Sequence, residues 1–213
     1  MRRVWFKLSA VLVLLVAGCG SPPPSDELFN QSVVLTKYVP NVGFAGFHTF
    51  YLRPEIRTLG EGGSVETVDP DKAQPLLDAT QNNLIARGYE PVAKEDAELA
   101  VELDYLAIVS SATWCYNWWD SGYWGYPAYG YAPYYGCGTD VWRSDLLATH
   151  IVDLSEAQSN PDGGEGGAGS TPMNLTAVWF SGVYGVGLNS RDAVDGINQA
   201  FTQSPYLTSA PAK

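Results

Sequence analysis

Histidine is almost absent from this sequence, which contains only His48 and His150 among its 213 residues. Most nucleophile–base pairs and many zinc sites use histidine, and no cluster of Cys, Asp or Glu at ligand spacing takes its place. The G-x-S-x-G nucleophile turn, the phosphate-binding loop and the dinucleotide fingerprint are absent as well. The sequence therefore predicts no catalytic residue, no metal and no cofactor. It predicts that both histidines lie on strand surfaces.

Basic residues are also scarce, with 12 Lys and Arg against 23 Asp and Glu. Three of the 12 lie in the first seven residues, inside the segment interpreted below as a signal peptide. The rest of the chain keeps 9 basic and 23 acidic residues, a formal charge of about −14. Nucleic acids and anionic lipid headgroups are bound by clustered Lys and Arg, and no such cluster remains. We therefore expect no nucleic-acid partner.

The longest apolar run lies at the N-terminus and is too short for a permanent membrane span. Arg2, Arg3 and Lys7 precede LSAVLVLLVAG (residues 8–18), and Cys19 follows. Small residues before a cysteine resemble the lipobox of bacterial lipoprotein signal peptides. The resemblance implies cleavage before Cys19 and lipidation of that residue, with a membrane as partner. An ordinary signal peptide, or an uncleaved anchor with an incidental cysteine, is the alternative.

Gly20 follows the cysteine at the position where enterobacterial sorting places an Asp for retention in the inner membrane. Because this position holds Gly and not Asp, the sequence indicates a lipid-anchored, periplasm-facing protein of the outer membrane if the organism is Gram-negative. In any other organism it indicates a lipid anchor on the cell membrane. The predicted organisation is a signal peptide (1–18), a lipidated Cys and Pro/Ser tether (19–29), one α+β domain (30–206) and a C-terminal tail (207–213). The domain is interrupted by an aromatic insert (112–141) and a Gly-rich loop (159–171).

Alternation of apolar and polar residues is clearest in the strand predicted at 98–110, ELAVELDYLAIVS. Its odd-numbered face is apolar and is expected to pack on a helix. Glu102 and Asp104 lie on the other face, which becomes apolar at Leu106 and Ile108. That face therefore needs a cover near the aromatic insert.

Other segments complete the predicted fold. Further strands are expected at 32–38, 47–52, 89–93, 145–154 and 175–186. One helix begins at Asp69-Pro70 or at Pro75 and ends before Gly88; a second follows a Ser190 cap. The fold class is α+β, with a mostly antiparallel sheet of about five to six strands and two helices on one face.

The aromatic insert contains WCYNWWDSGYWGYPAYGYAPYYGC, in which 11 of 24 residues are Trp or Tyr and only Asp120 is charged. It could fold back and cover Leu106 and Ile108 with its rings as part of the core, present an exposed binding surface, or act as a low-complexity spacer. A binding surface would use its aromatic side chains: Trp114, Trp118, Trp119, Tyr123, Trp124, Tyr126, Tyr129 and Tyr131.

Two cysteines bracket this aromatic run. With Cys19 assigned to lipid, Cys115 and Cys137 form an even pair in an oxidising compartment, and we predict a disulfide between them. Two free buried thiols or a metal pair are the alternatives.

Five segments carry a resemblance to a known family, in the order FAGFHTFYL (44–52), LIARGYEPVAKEDAELAVELDY (84–105), LLATHIVDLSEA (146–157), AVWFSGVYGVG (177–187) and a closing helix that ends in SP (204–205). They resemble bacterial lipoproteins with the domain of unknown function 4136, over most of residues 30–206. Members of that family often carry a Gly-, Tyr- and Trp-rich insert at this place. The family pattern favours an acidic residue where His150 stands here. The resemblance implies fold and location, and no reaction.

Two functions follow. The favoured one is a membrane-tethered envelope lipoprotein with a non-enzymatic binding or structural role, which contacts an envelope protein, peptide or glycan through the aromatic insert. The alternative is a hydrolase or other enzyme acting on envelope polymers. A deep pocket with carboxylates converging around Asp104, Asp120, Asp145 or Asp153 would indicate the enzyme.

Overall fold

A computed structural model describes residues 32–59, 65–106, 114–116, 121–124, 136–138, 145–155, 176–188 and 191–209. Its strands are β1 (Val33–Tyr38), β2 (Thr49–Leu59), β3 (Val65–Thr67), β4 (Glu90–Pro91), β5 (Leu99–Leu106), β6 (Trp114–Tyr116), β7 (Gly136–Gly138), β8 (Leu146–Asp153) and β9 (Thr176–Tyr184). Its helices are α1 (Pro70–Ile85), α2 (Ser121–Trp124) and α3 (Arg191–Thr202). Within these ranges no helix is long and apolar enough to cross a membrane.

The main sheet has the strand order β1-β9-β8-β5-β2-β3, and β4 also pairs with β2. Strands β1, β9, β8 and β5 pair antiparallel, as do β2 and β3. β2 runs parallel to β5 and to β4. Parallel neighbours need a crossover connection, and α1 lies in the one between β2 and β5. The predicted α+β class with a mostly antiparallel sheet is confirmed.

Helix α1 begins where its N-terminal residues predict. The Asp69 carboxylate accepts a hydrogen bond from the Asp71 backbone N–H at 3.0 Å, and Pro70 occupies the first helical position. Pro75 lies inside the helix and does not delay its start. The helix is followed by Gly88 at φ 88°, a left-handed conformation that glycine adopts without steric cost.

Strand β2 extends further than the sequence indicates. It was expected at 47–52 and runs to Leu59, although Pro54 interrupts its hydrogen-bonding pattern. The register with β5 shifts between Leu52 and Ile56, so a bulge absorbs the proline. This bulge also decides where the following charged side chains of β2 lie.

The main core lies between the sheet and helices α1 and α3. Leu99, Val101 and Leu103 on β5 are completely buried in it, so the odd-numbered face of this strand packs as expected. Helix α3 approaches β9 closely at Gly196, where a Cβ would lie 2.4 Å from Cγ1 of Val183. Only glycine permits this helix–strand distance.

The two histidines occupy different environments. His48 is exposed, just before β2. The expectation of a strand-surface position is wrong for His150, which lies on β8 and is only 1% exposed. The reason is that the second face of the sheet, opposite the helices, is covered as well.

Candidate functional site

A cluster of charged side chains lies on the second face of the sheet. Glu102 and Asp104 project from β5 onto this face, and the register places Arg57 of β2 beside Asp104 and His150 of β8 beside Glu102. Each of these four side chains is at least 95% buried. Ionisable groups are rarely buried unless they are paired, so their contacts define the cluster.

Arg57 and Asp104 form the centre of the cluster. The Arg57 guanidinium donates from Nε to Asp104 Oδ1 at 2.7 Å and from Nη2 to Oδ2 at 2.9 Å. Two parallel charge-assisted bonds of this kind are among the stronger polar contacts in proteins. The same Nη2 lies 3.4 Å from Oε1 of Glu102, and His150 Nε2 lies 3.9 Å from Asp104 Oδ2.

Arg53 joins the cluster from the bulged part of β2. Its Nε and Nη2 donate to Glu55 Oε1 at 3.1 and 2.5 Å. Its Nη1 lies 3.9 Å from Glu102 Oε2. Among the three carboxylates Glu55, Glu102 and Asp104, Arg53 is therefore closest to Glu55 and Arg57 is closest to Asp104. The contacts of both arginines with Glu102 are longer.

Burial shifts the pKa of two cluster members in opposite directions. Desolvation raises the pKa of Glu102 to about 8; Asp104 adds to the rise, while Arg57, the Trp124 hydrogen bond and Arg53 oppose it. Desolvation also lowers the pKa of His150 to about 3, and Arg57 adds to the fall. Burial therefore disfavours the charged form of both Glu102 and His150.

Helix α2, from the aromatic insert, lies on this cluster. The Trp124 indole N–H donates to Glu102 Oε2 at 2.8 Å, and Trp124 is 2% exposed. Its ring packs with Ala100, Val152 and Ala177 on the second face. The insert thus covers the sheet at this position, nearer the Leu99 end of β5 than the Leu106 end. Trp124 is therefore buried, but it does not cover Leu106, which packs in a separate cluster with Leu59, Leu146 and Ala148, and Ile108 lies outside the described residues.

Tyr123 is held by a second set of contacts. Its hydroxyl lies 2.9 Å from that of Tyr51. The Arg53 guanidinium carbon lies 4.1 Å from its ring centroid and the Lys94 ammonium 4.7 Å, both within cation–π range. Lys94 also donates to the Tyr123 backbone carbonyl oxygen. We call Tyr51, Arg53, Lys94 and Glu102 the seat of α2.

The remaining predicted site residues are only partly described. β6 and β7 form a two-stranded antiparallel sheet, in which Cys115 is the register partner of Cys137 and Trp114 of Gly138. The others lie outside the described residues: Cys19, Trp118, Trp119, Tyr126, Tyr129 and Tyr131. Their roles stay predictions.

Carboxylates considered for an enzyme do not meet in the described part of the chain. Asp104 is fully buried against Arg57. Asp153, at the far end of β8, accepts a hydrogen bond from the Ser155 backbone N–H at 2.8 Å. Asp145 precedes β8 and accepts a hydrogen bond from the Tyr105 hydroxyl; burial raises the pKa of Tyr105, and this hydrogen bond adds to the rise. Asp120 lies outside the described residues, and those described contain no group of three or more His, Cys, Asp or Glu side chains placed so that they could hold a metal ion.

Sequence reasoning missed the seat and most of the charge cluster. Arg53, Arg57 and Lys94 read as ordinary solvated charges, because nothing near them in the sequence indicates burial. One signal was available on β5. Glu102 and Asp104 share their face with apolar Leu106, and a covered face carries acids only if they are paired.

Comparison with known proteins supplies a family and a fold. The sequence model described as Domain of unknown function (DUF4136) matches residues 34–206. The structure is similar to that of a DUF4136 family protein from Bacteroides thetaiotaomicron VPI-5482, at 29% identity and a TM-score of 0.55, over 83% of this chain and 97% of that chain. A PelC dodecamer from Paraburkholderia phytofirmans aligns at 11% identity and a TM-score of 0.39, over 84% of this chain and 99% of that chain. No curated protein matches the sequence.

Proposed function

This chain belongs to the DUF4136 family, and we propose that it is a lipid-anchored protein of the cell envelope that binds a partner without catalysing a reaction. Cys19 carries the anchor in this proposal, in the outer membrane of a Gram-negative organism or otherwise on the cell membrane. The aromatic insert carries the contact, with an envelope protein, peptide or glycan as the partner.

One observation carries the binding role. Tyr123 and Trp124 of the insert are fixed to the sheet by a hydrogen bond to Glu102, a hydroxyl contact with Tyr51 and the Lys94 and Arg53 contacts. A flexible spacer would not need such specific polar contacts. A binding surface gains from being held in one arrangement before its partner arrives, because less conformational entropy is lost on binding.

The enzymatic alternative receives less support from the same geometry. A general acid or base must reach its substrate, within hydrogen-bonding distance or through one water. Asp104 is closed off by Arg57, and Asp145 and Asp153 lie at opposite ends of β8, roughly 25 Å apart. Asp104, Asp145 and Asp153 therefore do not converge on a reacting group.

The proposal predicts two results for the full-length protein, tagged at its C-terminus and extracted in detergent. Mass spectrometry should find an acylated Cys19 at the N-terminus. Capture from solubilised envelope fractions should retain a partner that is lost when Trp118 and Trp119 are changed to Ala. Aromatic residues at the centre of an interface commonly contribute 2 kcal/mol or more, about 30-fold in affinity.

Tyr38→Ala is the matched control, because Tyr38 is a 47% exposed aromatic residue on β1, outside the insert. Its capture profile should equal that of the wild type. An unmodified thiol on Cys19 would disprove the anchor. Equal capture by the double variant and the wild type would disprove the role of the insert.

We also propose that Cys115 and Cys137 form a disulfide at the base of the insert. Facing residues of antiparallel strands have Cα atoms about 4.5–5.5 Å apart, inside the range that disulfides require. Closing a loop of this size would stabilise the protein by about 3 kcal/mol. In non-reducing peptide mapping of periplasmic protein, the peptides with Cys115 and Cys137 should stay linked. Free alkylation of both thiols would show that the bond is absent.

A further inference from the structure

Helix α2 is bound to the sheet by contacts different from those that hold the main core. The main core packs apolar side chains between the sheet and the two long helices. The four-residue α2 is held by polar contacts to the seat, among them the bond from the Trp124 indole to Glu102, and by the Trp124 ring, which packs in a small apolar cluster separate from the main core. A short segment packed outside the main core opens at lower free energy than that core does. α2 can therefore detach while the main core stays folded.

Glu102 is the member of the charge cluster that detachment affects most directly. It accepts the Trp124 bond, and it lies 3.4 and 3.9 Å from the guanidinium groups of Arg57 and Arg53, each of which makes a closer contact with another carboxylate. Its neighbour Asp104 is an anion on the same face of β5. A charge on Glu102 is therefore poorly compensated while α2 excludes water, and better tolerated once water enters.

The groups that face Glu102 come from every element packed around it. They are Arg53, Glu55 and Arg57 on β2, Asp104 on β5, His150 on β8, Lys94 in the turn before β5, and Tyr123 and Trp124 on α2. Both arginines stay charged over the physiological range. Burial shifts the pKa of Glu102 and of His150 toward the neutral form, so the charge of these two side chains depends on the state of α2.

We propose that α2 is a latch on the second face of the sheet, and that its release is coupled to loss of the Glu102 proton to water. Closed, the latch keeps Glu102 protonated and accepting from Trp124. Open, it admits water, and the carboxyl ionises. The latch bears on the proposed function because it holds part of the aromatic insert, so it would set how that insert is presented.

The direction of the pH effect follows from the raised pKa of Glu102. Between about pH 4.5 and 8 the closed state binds a proton that the open state releases, so opening becomes more favourable as pH rises. His150 acts in the opposite sense, because its lowered pKa favours opening as pH falls from about 6.5 to 3. Between pH 6.5 and 8 Glu102 alone contributes, and opening should increase by up to about tenfold per pH unit.

Hydrogen exchange of the Trp124 indole N–H, followed by NMR on protein with labelled tryptophan, measures this opening without any partner. Trp124→Phe identifies its resonance. Trp179 is the internal control, since its indole N–H donates to Ser204 Oγ at 2.9 Å within the main core. With intrinsic exchange normalised, protection of Trp124 should be lower than that of Trp179 and should fall from pH 6.5 to 8.

Glu102→Gln tests the coupling, because its amide oxygen can still accept from Trp124 but the side chain cannot ionise. In this variant the protection of Trp124 should not change between pH 6.5 and 8. Equal protection of Trp124 and Trp179 in the wild type would overturn the latch. A wild-type profile independent of pH, or a pH dependence that survives in Glu102→Gln, would overturn the coupling. None of these outcomes depends on partner capture. The exchange experiment can therefore disprove the latch while the proposed binding role stands, and the capture experiment can disprove the binding role while the latch stands.

Discussion

Replacing Arg57 with Met is expected to lower the free energy of unfolding by about 3–5 kcal/mol. The side chain is 4% exposed and donates two hydrogen bonds to Asp104, which has no exposed surface. Met fills similar space but removes the cation, so the Asp104 carboxylate loses its closest positive charge while it stays buried. Equilibrium denaturation in urea at pH 7 measures the change.

A double variant separates loss of the pair from loss of volume. Arg57→Met combined with Asp104→Leu removes both charges and should recover most of the lost stability, because a buried ion pair replaced by apolar groups is often neutral. Arg57→Lys should fall between, since an ammonium cannot make the two parallel bonds. If Arg57→Met costs less than about 1 kcal/mol, water reaches the cluster and the second face is not closed in solution.

Leu103→Ala is expected to lower the free energy of unfolding by about 2–5 kcal/mol. Leu103 is fully buried in the main core, one strand position before Asp104 and on the opposite face of the sheet. The change removes apolar contacts and leaves a cavity between β5 and the helices. The same denaturation experiment gives its size.

Val65→Ala is the control for this cavity. Val65 lies on β3 at the edge of the sheet and is 57% exposed, so its truncation should change stability by no more than about 0.5 kcal/mol. A cost for Leu103→Ala as small as that of the control would mean that β5 does not pack on the helices through its odd-numbered face.

Much of the helix-packed face could be predicted from the sequence, because local signals and burial agree there. The alternation in β5 correctly assigned Leu99, Val101 and Leu103 to the core. Asp69 and Gly88 mark the two ends of α1 because capping and left-handed backbone depend on residue type alone. The resemblance to the DUF4136 family is confirmed by the match over residues 34–206.

The second face could not be predicted in the same way, because its contacts join residues far apart in the chain. Arg57 meets Asp104 across 47 positions, and Arg53 reaches the cluster only because a bulge at Pro54 shifts the register of β2. Glu102 is buried because Trp124 covers it, from an insert whose periodicity favours no regular structure. His150 was expected on a surface because the apolar Leu106 on β5 indicates that this face has a cover but does not show how far the cover extends over β8.

The pairing of β1 with β9 has a consequence for how the domain forms. Val34 faces Val183, so about 150 residues must be synthesised and brought together before the first strand finds its neighbour. Closing so long a stretch of chain is entropically costly, and such non-local pairing slows folding. Until β9 emerges, β1 presents an unpaired edge with apolar Val33 and Leu35, which is a template for association with other chains. Strand β1 is thus made before the other described strands of the domain and is among the last to be paired.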